Sequence, residues 1–309
     1  MLVPILIAIL AAGALCVAYG VFVERRWYRL ARYRVDILPA EGPDKLTLLH
    51  LSDLHVTAGS AKLARFLAGL PAADVTAVTG DIVGEPEAVE EAADMLRPVR
   101  GRFASYFVLG SNDYYAPKPL NYLAYFRKGR RRRGAKRGRA PELVARLEAD
   151  GWVHLKNVRT CVSLDGLEVE LLGLDDPHID RQDLRVAPRH HPERFGFAIA
   201  HSPDPAPELA ALGYDLAVYG HTHGGQVRMP VVGALVTNSD VPRRIVSGLV
   251  RMGRTYGHIS PGMGTSKYAP FRFLCRPEAT ILELGRRPTA TPAEPSAEPT
   301  TRVEPSAPA

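Results

Sequence analysis

Five short segments of the chain end in residues that bind hard or borderline metal ions: Asp53-Leu54-His55, Gly80-Asp81, Gly110-Ser111-Asn112-Asp113, His201 and Gly220-His221-Thr222-His223. Carboxylate, imidazole and amide oxygen together suit Mn, Fe or Zn better than a soft-metal site, and a pair of ions needs one bridging carboxylate. In 53–55 and 221–223 the donors stand two apart, so an extended backbone sends both to the same side. Each segment alone has a plain structural use: an Asp after a strand is an ordinary turn or helix N-cap, and a lone His an ordinary hydrogen-bonded core residue. All five in order, each behind an apolar run, point instead to one shared site.

The elements that must position them alternate short apolar runs with amphipathic ones, the pattern of an α/β domain. Strands are predicted over Leu46–Leu51, Val75–Thr79, Ser105–Leu109, Leu167–Leu172, Phe195–Ala200 and Leu216–Tyr219, helices over Ala61–Leu70, Glu87–Leu96, Pro141–Ala149 and Ala206–Leu212. Five of the strands run into the polar segments within a few residues, at the C-terminal ends where open α/β sheets form their ligand crevice.

The five blocks closely resemble the calcineurin-like metallophosphoesterases, whose pattern runs D-x-H, G-D, G-N-H-D or E, H and then G-H-x-H. The resemblance extends over about Leu46 to Leu284. Gly220-His221-Thr222-His223-Gly224-Gly225-Gln226 is similar to the membrane-anchored bacterial branch, which contains enzymes cleaving lipid-linked nucleotide diphosphates. The resemblance implies a four-layer sandwich of two mixed β-sheets flanked by helices. It also implies two divalent ions (Mn, Fe or Zn), one held by Asp53, His55 and His223, the other by His201, His221 and the motif Asn, with Asp81 bridging. In that family the ions share a hydroxide that attacks phosphorus in line.

The third block departs from the pattern. In strict alignment Ser111 takes the ligand position and Asn112 that of the histidine over the leaving group; slipped by one residue, Asn112 is the ligand and Asp113 stands where the acid would be. The second register is preferred, because an amide oxygen ligates better than a neutral hydroxyl. No histidine remains in the loop under either, so His178, in Leu174-Asp175-Asp176-Pro177-His178, is the candidate replacement acid, with a turn role as its other reading. A leaving group of low pKa, such as a phosphate or nucleotide, needs little protonation, which favours an anhydride or activated diester as substrate.

From Leu2 to Val23 no residue is charged. That length spans the roughly 30 Å hydrocarbon layer and exceeds the apolar core of about 7 to 15 residues in a signal peptide. Arg25, Arg26, Arg29, Arg32 and Arg34 follow it, which places the catalytic domain on the cytoplasmic side of the cell membrane, behind a single span. Nine of the bases lie in 127–139, and removing them from the net +6 leaves the rest of the chain at −3. The basic character thus belongs to one insertion loop near the mouth of the site, which is either a solvated loop or a contact for anionic headgroups. Nucleic acid is disfavoured as partner, because no aromatic residues interleave the run. Cys16, Cys161 and Cys275 are too scattered for a disulfide framework or a thiolate zinc site.

The expected organisation is a transmembrane anchor (1–24), a basic juxtamembrane linker (25–44), a metallophosphoesterase domain (45–285) and a disordered Pro-rich tail (286–309). The expected function is a membrane-anchored phosphohydrolase with a binuclear centre, cleaving a phosphodiester or pyrophosphate bond in a lipid-linked or nucleotide substrate. The alternative, raised by the missing motif histidine, is a metal-binding but catalytically weak membrane tether or sensor.

Overall fold

The structure is a computed structural model that describes residues 2–117 and 136–288 and the backbone of 302–303. The first sheet contains β1 (Arg29–Leu38), β2 (Lys45–Leu51), β3 (Val75–Thr79), β4 (Ala104–Val108), β5 (Val153–His154) and β14 (Glu278–Arg286). Its order is β1-β14-β2-β3-β4-β5. The second holds β6 (Val158–Leu164), β7 (Leu167–Gly173), β8 (Phe195–Ile199), β9 (Leu216–Tyr219), β12 (Gly248–Met252), β13 (Thr255–Ile259) and β15 (Arg302–Val303). Its order is β15-β12-β13-β9-β8-β7-β6. A small hairpin pairs β10 (Arg228–Met229) with β11 (Gly233–Ala234).

Both large sheets are mixed. In the first, β2, β3 and β4 run parallel while β14 lies antiparallel to β2; in the second, β7, β8, β9 and β13 run parallel. The sheets face one another across Leu46, Leu48, Val75 and Val108 on one side and Val169, Phe197, Leu216 and Val218 on the other. On the outer face of the first sheet pack α2 (Ala61–Ala68), α3 (Val89–Leu96) and α5 (Ala140–Ala149); the short α4 (Ser111–Tyr114) follows β4. The second sheet is covered by α6 (Ala206–Ala211) and the loops around Val241 and Val246. In α5, Pro141 occupies the first turn, where no amide donor is needed, and Leu143 and Leu147, one turn apart, are its buried pair.

α1 (Leu2–Phe22) projects from this body as the expected apolar helix, almost wholly exposed and long enough to cross a membrane. The segment 25–44 is not a linker. β1 alternates buried Ala31, Tyr33, Val35 and Ile37 with outward Arg32, Arg34 and Asp36, and pairs in parallel with β14, so its arginines mark the solvent face of an edge strand. Of the tail, 302–303 pairs with β12, whereas 289–301 and 304–309 lie outside the described residues, as does 127–135 of the basic run. The three cysteines are unpaired.

Candidate metal centre

Because β2, β3 and β4 are parallel, their C-terminal ends present Asp53, Asp81 and Asn112 at one edge of the first sheet. β8 and β9 bring His201 and His221 to the matching edge of the second. Asp53, His55, Asp81, His221 and His223 all have φ between 45° and 68°, in the left-handed region. Such conformations cost of order 1–3 kcal/mol each and persist where the surroundings over-determine them. They turn the chain sharply, so that neighbouring side chains leave toward one point. The adjoining glycines have no room for a side chain: a Cβ on Gly110 would strike the Asp81 carboxylate, and one on Gly220 the Ser52 hydroxyl and Asp53.

One group is already assembled. Ligating atoms of Asp53, His55, Asp81 and His223 lie within 4.8 Å of one another. His55 Nε2 is 3.2 Å from His223 Nε2 and 3.6 Å from Asp81 Oδ2, and His223 Nε2 is 3.5 Å from Asp53 Oδ1. Asp53 Oδ2 accepts from the Ser52 hydroxyl (2.6 Å) and from the His221 amide (2.9 Å), which fixes the carboxylate and leaves Oδ1 facing the cluster. Across Asp81 stands His201, its Nε2 3.7 Å from Asp81 Oδ1. Its Nδ1 donates to the Thr79 carbonyl (2.6 Å), the arrangement that orients a ligating imidazole and directs Nε2 at the site. The Asn112 backbone amide donates to Asp81 Oδ1 (2.7 Å), and its side-chain amide lies 2.5 Å from Asp81 Oδ2.

His221 stands edge-on to His201 and packs at a tilt of 38° against His178, with ring centroids 5.1 Å and 4.1 Å away, while its Nε2 is 3.2 Å from the Asn238 carbonyl. His178 thus lies beside the centre, on the 3₁₀ turn Pro177–Ile179. Asp113 does not stand as an acid over the site. It is fully buried, and its carboxylate accepts from the amides of Ile82, Val83 and Gly110, tying the Asp81 loop to the Asn112 loop. Three backbone donors converging on it are the physical reason for this correction.

The site is tuned by burial and mutual charge. Burial, reinforced by Asp81, lifts Asp53 to about 6 and Asp113 to about 7. Burial alone would lower His201, but the Asp81, Asp176 and Asp53 carboxylates outweigh it and raise the ring to about 9. Burial holds His221 and His223 well below the usual imidazole range, helped by His178 and His201 on the first and by His55 and Arg272 on the second. Both rings are therefore neutral and able to ligate at neutral pH.

The donor set fits metal. Asp53 Oδ1 and His201 Nε2 are buried without a hydrogen-bond partner among the described residues, and both face this cluster. Such groups are costly unless something completes them. The calcineurin-like phosphoesterase family profile matches residues 46–225, more than half of the chain. The chain belongs to that family. As a calcineurin-like phosphoesterase it is a metal-dependent hydrolase with a divalent-metal site.

Among similar proteins, the uncharacterized metallophosphoesterase YkuE of Bacillus subtilis is 24% identical over 290 residues, covering 89% of this chain and 93% of that one. The phosphodiesterase YaeI of Escherichia coli is 26% identical over 274 residues, with 86% and 92% covered. A transmembrane protein with metallophosphoesterase domain from Bos taurus is 28% identical over 255 residues, 79% of this chain and 54% of that protein. The N-terminal apolar helix of this chain accords with a membrane protein.

Two residues of this phosphoesterase's site lie outside the predicted set of ligands and acids. Arg272 is fully buried; its guanidinium donates to the carbonyls of Pro261 (2.8 Å), Gly262 (3.1 Å) and Gly264 (2.8 Å) and lies 3.4 Å from His223 Nδ1. Asp176 is buried too, accepts from the His178 amide (2.8 Å), and contributes to the raised pKa of His201. A buried Arg that serves backbone carbonyls is indistinguishable in sequence from a surface one.

Proposed function

We propose that the chain is a membrane-anchored, two-metal phosphohydrolase acting on a phosphodiester or pyrophosphate bond. The observation that carries this reading is the placement of Asp81, whose two oxygens face different imidazoles, His55 at 3.6 Å and His201 at 3.7 Å. A carboxylate so placed would be able to serve two ions. Asp53, His55 and His223 would hold one, and His201, His221 and Asn112 the other. When bound, the ions supply charge neutralisation at phosphorus and activation of water.

The chain's own contribution is order. Ser52 and the His221 amide fix Asp53, Thr79 fixes the tautomer of His201, and Asp113 clamps the two loops that carry Asp81 and Asn112. With Asp113 engaged by the backbone, His178 is the group left beside the site to give a proton to a leaving oxygen. That economy suits a leaving group of low pKa, in a nucleotide or lipid-linked diphosphate. α1 would hold the enzyme in the cell membrane, with the domain on the cytoplasmic side by the excess of Arg after the span.

The test is hydrolysis of bis-p-nitrophenyl phosphate by the full chain in detergent with Mn added, with bound metal counted, beside Asp81→Ala and Asn112→Ala. Two ions per wild-type chain with turnover, and loss of both in Asp81→Ala, are the expected results. Metal bound without turnover would instead favour the catalytically weak tether.

A further inference from the structure

One cavity of about 820 Å³ is not accounted for by the metal ligands. It runs between His55 and Gly264 at its inner end and Arg25 and Arg26, just past the end of α1, at its outer end, with α2 and the loop 57–60 as one wall. Its volume is that of a site for a sizeable ligand. Its charge is one-sided. Five bases line it, Arg25, Arg26, Lys62, Arg65 and Lys267, against one acid, Glu85, which Lys267 already holds at 2.8 Å.

The other four bases make no ion pair among the described residues, and the half-buried Arg25 has its Nε buried without a hydrogen-bond partner. Like charges gathered without a counter-charge, one of them partly desolvated, are unfavourable to the folded chain unless an anion offsets them. Hydroxyl groups of Thr57 and Ser266 stand along the same cavity, donors suited to phosphate oxygens, while the Ser60 hydroxyl donates to the Thr57 carbonyl at 2.8 Å.

The outer end of the cavity is fixed relative to α1. The Gly20 carbonyl accepts from the Arg272 amide (3.3 Å), Tyr19 packs edge-on to Phe273, and the buried Glu24 carboxylate accepts from the amides of Leu274 (2.9 Å) and Cys275 (2.5 Å). The helix therefore cannot swivel without breaking the segment that also carries Arg272, the neighbour of His223. With α1 across a bilayer, Arg25 and Arg26 stand at headgroup level and the cavity opens there.

We propose that this cavity is the headgroup subsite for a membrane-borne phosphorylated amphiphile, whose phosphate is held by Arg25, Arg26, Lys62 and Arg65 while its scissile ester lies at the metal cluster and its tails stay in the bilayer beside α1. This rests on the hydrolase reading and narrows its substrate to a lipid-borne anion.

The experiment places the full chain in phosphatidylcholine nanodiscs, with or without phosphatidic acid, and measures bis-p-nitrophenyl phosphate hydrolysis. The expected result is that phosphatidic acid raises the wild-type KM about tenfold with kcat unchanged, a size consistent with several basic side chains acting near an anionic surface. In Arg25→Ala/Arg26→Ala/Arg65→Ala the ratio of KM with and without phosphatidic acid falls to near one. Glycerol 3-phosphate in bulk solution is the soluble arm and is expected to compete weakly. Equal competition by it would overturn the membrane source, and an unchanged ratio in the triple variant would overturn the cavity as the site.

Lys62→Gln/Arg65→Gln, on the exposed face of α2 and away from the end of α1, gives the same comparison if the triple variant fails to fold. Native mass spectrometry of the full chain in detergent separates the two readings. Phosphatidic acid retained by the wild type and lost in Lys62→Gln/Arg65→Gln, with no turnover in either, would sink the hydrolase and keep the subsite. Turnover with no retained lipid would do the reverse.

Discussion

The two halves of the proposed two-metal centre are unequal. The half built by Asp53, His55, Asp81 and His223 is gathered within 4.8 Å, while in the other His201 is poised at Asp81 and His221 turns its Nε2 to the Asn238 carbonyl. The first half joins two sheets through short loops with forced left-handed backbone, so its geometry is set by the fold. The second draws on His221, whose ring is shared among His201, His178 and a loop carbonyl. A preformed site should bind its ion first and hold it through changes that empty the other.

Asp81→Ala tests the element common to both halves and should have the largest effect. Both ions should be lost, and kcat/KM should fall by about three orders of magnitude, in keeping with several kcal/mol of charge stabilisation. Elemental analysis beside phosphodiesterase kinetics checks it, and a variant retaining two ions would show that the halves are independent. His221→Ala should separate them, leaving one ion per chain and lowering turnover about a hundredfold, within the range of several kcal/mol ascribed to one ion. Loss of both ions in that variant would mean that the first half is not preformed.

Proton linkage sharpens the same contrast. His201, raised to about 9, is protonated at neutral pH in the absence of metal, whereas His221 and His223 are already neutral. Filling the half that contains His201 must expel its proton, so affinity there should rise about tenfold per pH unit below 9, and filling the other half should depend less on pH. Calorimetric titration in buffers of different ionisation enthalpy reads the released proton directly. The sign is fixed: falling pH should empty the His201 half first.

Much of this centre is legible in the sequence, because a strand end followed by Asp or His is a local pattern and the parallel order of the strands makes the ends meet. Val75–Thr79 and Leu216–Tyr219 form as strands residue for residue. What was not legible depends on partners distant along the chain. β1 hides behind its arginines until β14 pairs with it across some 250 residues. Asp113 reads as an acid beside Asn112, and only the folded loops show three amides pointing at it. Arg272 has no local signal, since its partners are carbonyls and an imidazole.

Asp113→Ala tests that correction. Removing a buried acceptor from three backbone donors should destabilise the chain by about 1–3 kcal/mol or more, because each unmet donor carries a desolvation cost. Thermal unfolding of the full chain in detergent measures it. A catalytic acid would give the opposite signature: normal stability and a loss of kcat alone.

His178→Ala is the smallest expected effect and the most informative about substrate. The ring packs against His221 at 4.1 Å and so lies beside the second half of the centre. General acid catalysis is typically worth about 10²- to 10⁴-fold, but only where the leaving oxygen is basic enough to need the proton. On p-nitrophenyl esters, with a leaving group of low pKa, the loss should be under about tenfold. Across a series of aryl and alkyl phosphodiesters the loss should grow with leaving-group pKa if His178 donates the proton. A constant loss across the series would assign the ring to positioning His221, and with it to the weaker half of the centre.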